Sequence, residues 1–155
     1  METVRIERAD MSDLDDLGPL LQAYRVFYKQ HPDPGGEHRF LHERLAKQDS
    51  TIFIARSSER AVGFAQLFMT YSSVHLGPSL ILEDLYVDPE ARGKGIARAL
   101  LDRAKNHALQ LKATGMFLET AHSNRAAQRV YERAGWQPES VLRKYNYPLE
   151  PGEAQ

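Results

Sequence analysis

The chain has 155 residues, 42% of them hydrophobic and 26% charged, which favours one soluble globular domain with one core and excludes wholesale disorder. A formal net charge of −1 leaves no global basic field to draw the protein to nucleic acid or an anionic membrane. The absence of cysteine excludes disulfides, thiolate metal sites and a cysteine nucleophile.

The opening residues lack the apolar core of a signal peptide, and no apolar run is long enough to span a bilayer, so a cytoplasmic location is expected. Val4 and Ile6 alternate with Arg5, Glu7 and Arg8, predicting a short strand. Ser12 followed by Asp13, Asp15 and Asp16 reads as a capped helix start with acids over its positive end. Gly18-Pro19 is a point where that helix can kink or restart. Leu20, Leu21, Tyr24, Phe27 and Tyr28 continue a helical stripe. His31 to Gly36 combines helix breakers with turn formers and predicts a loop, with a second helix suggested by Phe40, Leu41 and Leu45.

Thr51–Ala55 is β-branched and aromatic, and predicts a strand. A hairpin turn at Ser57–Arg60 leads into its partner, Val62–Tyr71, and Leu80–Val87 is a further strand ended by Asp88-Pro89. Ile96, Leu100, Leu101, Ala104, Ala108 and Leu111 mark a long amphipathic helix closed by Gly115. Met116–Thr120 predicts a strand. Ser123 is placed to cap a helix running to about Arg133, which Gly135 terminates. Tyr145–Leu149 is a candidate last strand. The order is β, α, α, β, β, β, α, β, α, β, which implies a mixed α/β sheet without a dividing linker.

The most informative stretch is Leu82 to Ala97, where a strand runs into a glycine-bearing loop that opens a helix. Gly93 and Gly95 have no side chain to block close approach of a ligand to the backbone. The free N–H groups at the helix start, around Ile96 and Ala97, then face a pyrophosphate, and Arg92 and Lys94 add positive charge. Two other phosphate motifs fail. Lys94 is followed by Gly95 rather than Ser or Thr, and Arg98 stands where a dinucleotide fingerprint needs its third glycine. Downstream, Asn124, Ala127 and Tyr131 share one helix face.

Arg92-x-x-Gly95-x-Ala97 resembles the Arg/Gln-x-x-Gly-x-Gly/Ala acyl-CoA loop of the GCN5-related N-acetyltransferases (GNAT). Asn124-x-x-Ala127-x-x-x-Tyr131-x-x-x-Gly135-Trp136 is similar to the second signature of that family. The resemblance implies the GNAT fold: a mixed, mostly antiparallel central sheet with splayed central strands, flanked by helices. A single domain over residues 1–150 and a flexible tail over 151–155 are expected. It further implies acetyl-CoA as cosubstrate. Residues 92–97 would hold its pyrophosphate, Leu85 and Val87 would pair with pantetheine through their backbones, and Asn124 would contact pantetheine. Tyr131 would protonate the departing thiolate.

Leu82–Val87 resembles the corresponding strand of the spermidine/spermine acetyltransferase branch, where an acidic pair serves amine binding and deprotonation. Alternation places Glu83, Leu85 and Val87 on one face, Asp84 and Tyr86 on the other, and a bulge can redirect either acid. Glu83 is the candidate base, acting directly or through a water relay; Asp84, Tyr28 and Tyr86 are candidate substrate contacts. By resemblance, the backbone N–H of Leu85 would hold the oxyanion. The six histidines show no zinc spacing, and no metal is expected. The expected activity is acetyl transfer to a primary amine of a small molecule, a polyamine or an amino acid, by direct attack in a ternary complex. A protein or peptide acceptor and a non-catalytic acyl-CoA sensor are the alternatives. Phe64, Leu67, Phe68 and Tyr71 are candidates for an apolar homodimer contact.

Overall fold

Strand-forming residues at 51–57 and 60–72 lie either side of Ser58-Glu59, and Ser58 takes the left-handed conformation (φ 53°) that a two-residue hairpin turn demands. The computed structural model describes residues 3–150; the tail expected at 151–155 lies outside them. The strands are β1 (Val4–Arg8), β2 (Thr51–Ser57), β3 (Arg60–Ser72), β4 (Gly77–Val87) and β5 (Gly115–Phe117). They form one sheet in the order β1-β2-β3-β4-β5, antiparallel except for the parallel β4–β5 pair. A parallel pair needs a crossover, and α3 (Ile96–Gln110) supplies it.

The sheet has a hydrophobic layer on each face. Phe53 and Ala55 point to the layer built with α3, while Ile52 and Ile54 point to the layer built with α1 (Leu14–Phe27) and α2 (Pro34–Lys47). This alternation is the period of two expected of a strand buried on both faces. The α4 helix (Arg125–Arg133) adds Val130 and Tyr131 to the α3 side.

Several local expectations need correction. Asp10, not Ser12, caps the first turn: its carboxylate accepts the Ser12 N–H at 2.9 Å, and Asp13 accepts the Asp10 N–H at 2.9 Å. Gly18-Pro19 neither ends nor restarts α1. Pro19 costs one backbone bond to Asp15, and both residues are exposed, so water can serve the carbonyl. The loop predicted to reach Gly36 stops at Asp33. Pro34 has no N–H to lose at a first helical position, and Asp33 accepts the Gly36 N–H at 3.0 Å. Asn124 rather than Ser123 caps α4. β5 ends at Phe117, three residues short of the predicted Thr120.

No strand forms at Tyr145–Leu149. Pro148 removes a ladder donor, and Tyr145 and Tyr147 are exposed, so no side-chain packing holds the segment in a sheet. Phe64 and Leu67, expected at a subunit contact, are core residues with 1% exposure each. Of that group Tyr71 is the exposed member.

Candidate active site

The site begins with a break in register. Gln66 of β3 lies opposite Asp84 and Leu67 opposite Leu82, so Glu83 is the extra residue of a β-bulge. The bulge changes which side chains share a face. Leu82, Leu85 and Val87 all join the α3 layer, Tyr86 joins the α1 layer, and Glu83 turns out to solvent. Glu83 is therefore not in phase with Leu85 and Val87, as simple alternation implied. With Val87 buried and Leu85 half-buried, those two residues are left chiefly their backbone groups to offer a ligand.

A second break opens the sheet. β4 pairs with β5 at Ser79–Ile81 and no further, so the two chains part beyond Ile81 and Phe117. A cleft of about 500 Å³ lies at this divergence. Its walls include Tyr24 and Tyr28 from α1, Glu83 from β4, Glu119 and Thr120 after β5, and Lys144. Lys144 is paired with Glu119, which ties the irregular C-terminal segment to the cleft. The Thr120 hydroxyl is buried without a hydrogen-bond partner, a donor and acceptor left for something entering the cleft.

Beyond β4, Asp88 accepts the Glu90 N–H at 2.9 Å and pairs with Arg60 at 3.1 Å, which fixes the turn into the glycine loop. Gly93 and Gly95 have φ of 78° and 81°, a region that side chains disfavour. Nothing lies within 4 Å of where a Cβ would stand on either, so the loop presents bare backbone to open space. Gly95 starts α3 without a capping side chain, and the first-turn N–H groups are directed outward along the helix axis. Ile96 is buried and Ala97 half-buried, so their contribution is likewise backbone. Lys94 is exposed. Arg92 turns back: its Nε donates to the Val87 carbonyl at 2.9 Å and its guanidinium lies 5.8 Å from the Tyr86 ring centre. The Val87 carbonyl is thereby engaged within the protein.

On α4 the Asn124 Oδ1 accepts the Ala127 N–H at 3.2 Å, which leaves the Nδ2 end of the amide for other contacts. Tyr131 is half-buried, with its ring centre 6.2 Å from that of Trp136. Burial, reinforced by Tyr28, pushes its hydroxyl up to about 12, so it carries its proton throughout the neutral range.

The two acids have different surroundings. Glu83 is exposed in the cleft wall. Asp84 is 8% exposed, behind Tyr24, and accepts the Gln66 Nε2–H at 2.6 Å. Burial pushes Asp84 up to about 6; the Gln66 bond opposes this, and the Glu83 charge adds to it. Tyr24 donates to the Glu83 carbonyl at 3.2 Å and is within reach of Asp84 and Tyr28. Burial and Asp84 raise the Tyr24 hydroxyl above its ordinary value. Tyr86 is not in this cleft. It lines a separate apolar groove of about 450 Å³ with Val26, Phe27 and Arg92. The residues that the sequence left unmarked are Gln66, Glu119, Thr120 and Lys144. Only Gln66 carried a signal, as a polar side chain inside the apolar run Val62–Phe68.

The raised Asp84 has a consequence for stability. In the native protein it takes up its proton near pH 6, against 3.8 when unperturbed, so ionising it opposes folding. Wild-type stability should fall as pH rises through this window. Asp84→Asn removes the penalty and should be more stable than wild type by about 3 kcal/mol at pH 8, with the gap closing below about pH 4. Urea unfolding at the two pH values checks this; an equal difference at both would contradict it.

Among the described residues, no group of three or more His, Asp or Glu is arranged to hold a metal ion, and no helix is long and apolar enough to cross a membrane. Residues 17–136 match the model of the Acetyltransferase (GNAT) family. An uncharacterised N-acetyltransferase of Bacillus subtilis is 40% identical over 142 residues, covering 92% of this chain and 95% of its own. Thialysine N-epsilon-acetyltransferase of Mus musculus is 26% identical over 148 residues, covering 88% and 86%. The crystal structure of a probable acetyltransferase superposes with a TM-score of 0.89 at 36% identity, over 94% of this chain and 98% of that one. The splayed sheet, the bare glycine loop and these likenesses agree, and the chain belongs to the GNAT family as an acyl-CoA-dependent N-acetyltransferase.

Proposed function

We propose that the protein moves an acetyl group from acetyl-CoA to a primary amine of a small molecule, a polyamine or an amino acid, by direct attack in a ternary complex. The observation that carries this reading is the cleft at the β4–β5 divergence. It places Glu83, Tyr24 and Tyr28 in one wall, with Asp84 behind them. A carboxylate pair attracts an ammonium group, and the tyrosine rings supply cation–π walls. The mouse relative is named for acetylating thialysine at a side-chain nitrogen, which is a small amine of this kind.

The backbone of Gly93 to Ala97 is suited to the pyrophosphate, because bare N–H groups and a helix N-terminus meet there. The Asn124 amide and the backbone of β4 beyond Leu82 are assigned to pantetheine. Glu83 takes a proton from the ammonium form of the acceptor. The freed nitrogen attacks the thioester carbonyl, a C–N bond forms, and the oxyanion is held by a backbone N–H, assigned to Leu85. The oxyanion re-forms the carbonyl as the C–S bond breaks, Tyr131 gives its hydroxyl hydrogen to the departing thiolate, and the second proton, shed by the acylated nitrogen, restores the tyrosine. Asp84 serves as the counter-charge for the cationic substrate. Tyr86, in its separate groove, has no place in this scheme.

A thiol-release screen over polyamines, amino acids, basic peptides and neutral or anionic acceptors tests the acceptor class. Small cationic amines should be preferred. Glu83→Gln keeps the shape and removes the base, so its rate should fall most at low pH and recover partly as pH rises. Preference for neutral or anionic acceptors, or a Glu83→Gln profile parallel to wild type, would overturn this assignment.

A further inference from the structure

Gln66 lies at the centre of the β3 apolar run with 1% exposure. A buried primary amide is costly unless both ends are bonded. Here both are: the Ser50 hydroxyl donates to Oε1 at 2.8 Å, and Nε2 donates to Asp84 Oδ2 at 2.6 Å. The reverse orientation would set the amide oxygen against a carboxylate, so it is an ionised Asp84 that selects this orientation, and the Ser50 hydroxyl, able to donate or accept, then satisfies the amide oxygen. The pair also sits at the last rung before the register break, Gln66 opposite Asp84. It therefore holds Asp84 inward at the place where Glu83 is turned outward.

We propose that Gln66 is a positioning residue that keeps Asp84 ionised and fixed behind Tyr24, beside the acceptor cleft, with Ser50 satisfying its amide oxygen. The inference rests on the reading of Asp84 as counter-charge for a cationic acceptor. The groups that act on Asp84 are Gln66 from β3, Tyr24 from α1 with Tyr28 beside it, and Glu83 on its own strand. Lys144 and Glu119, paired with each other, line the cleft with Glu83, and Asp84 is not in that lining. Burial and the Glu83 charge both oppose ionisation of Asp84, and the Gln66 bond is what chiefly offsets them.

Gln66→Met keeps the volume and removes the donor. The Asp84 titration midpoint, followed by carboxyl 13C NMR, should rise by about one to two pH units. The KM of a diamine at pH 7 should rise about twofold to tenfold relative to wild type, with kcat little changed, and the ratio should shrink toward pH 9. Gln66→Glu should raise the midpoint further, because two carboxyls then share a proton. Ser50→Ala should move it the same way by less, since the amide oxygen loses its partner and the core keeps its shape. Acetyl-CoA-induced thermal stabilisation identifies the folded variants; if neither Gln66 variant folds, Ser50→Ala carries the NMR test. A midpoint unchanged in the folded variants, or a KM ratio equal at every pH, would show that Gln66 only fills space. A wild-type protein that acetylates no amine would overturn the functional reading instead, and the NMR titration would still decide the part played by Gln66.

Discussion

Tyr131→Phe should lower turnover by about 10²-fold or more while leaving acetyl-CoA binding nearly unchanged. The ring sits against Trp136 and the α3-side core, and phenylalanine keeps those contacts. What it loses is a hydroxyl that burial holds in its protonated form, with an ordinary ionisation pushed up to about 12. Such a group is a weak acid but a constant donor, and in the proposed scheme it stabilises the thiolate as the C–S bond opens. The effect should fall on kcat, because the charge it serves appears only in the transition state. Single-turnover kinetics beside a binding titration separate the two quantities. Full turnover in the variant would reduce Tyr131 to a packing residue and make solvent the proton source.

Gly95→Asp should abolish acetyl-CoA binding in a protein that still folds. Two effects add. At φ 81° an aspartate is strained, although the space around its Cβ is open. Its carboxylate then stands at the N-terminus of α3 where the pyrophosphate is assigned, and a fixed negative charge replaces an attractive field with a repulsive one. Gly95→Asn separates the two, since it has nearly the same shape and tolerance of this backbone without the charge. Asparagine should retain measurable binding where aspartate retains none. Unchanged affinity in a folded aspartate variant would mean that the loop is assigned wrongly.

The glycine loop was legible because its requirement is local: Gly93 and Gly95 occupy left-handed positions between a strand and a helix, and both facts are written in adjacent residues. The β2–β3 hairpin and the termination of α4 before Gly135 (φ 96°) were legible for the same reason. A bulge in β4 was foreseen as an option, but its place at Glu83 was not legible. Periodicity along β4 cannot show that β3 runs one residue short against it, because register belongs to a pair of strands. The separate surroundings of Glu83 and Asp84 therefore emerged only with the fold. Tyr28 and Tyr86 read alike as aromatic walls, yet the sheet places them in different clefts. Lys144 lies in a segment without periodic pattern, and its pairing with Glu119 depends on how that segment returns across β5.

The most direct test of acetyl transfer through a ternary complex is an initial-rate study of CoA release with both substrates varied, together with mass analysis of the products. The acceptor should gain one acetyl group for each CoA released, little CoA should appear without amine, and double-reciprocal lines should intersect. Parallel lines with an acetylated protein intermediate, or CoA release that is indifferent to every amine while no acceptor is modified, would contradict the account.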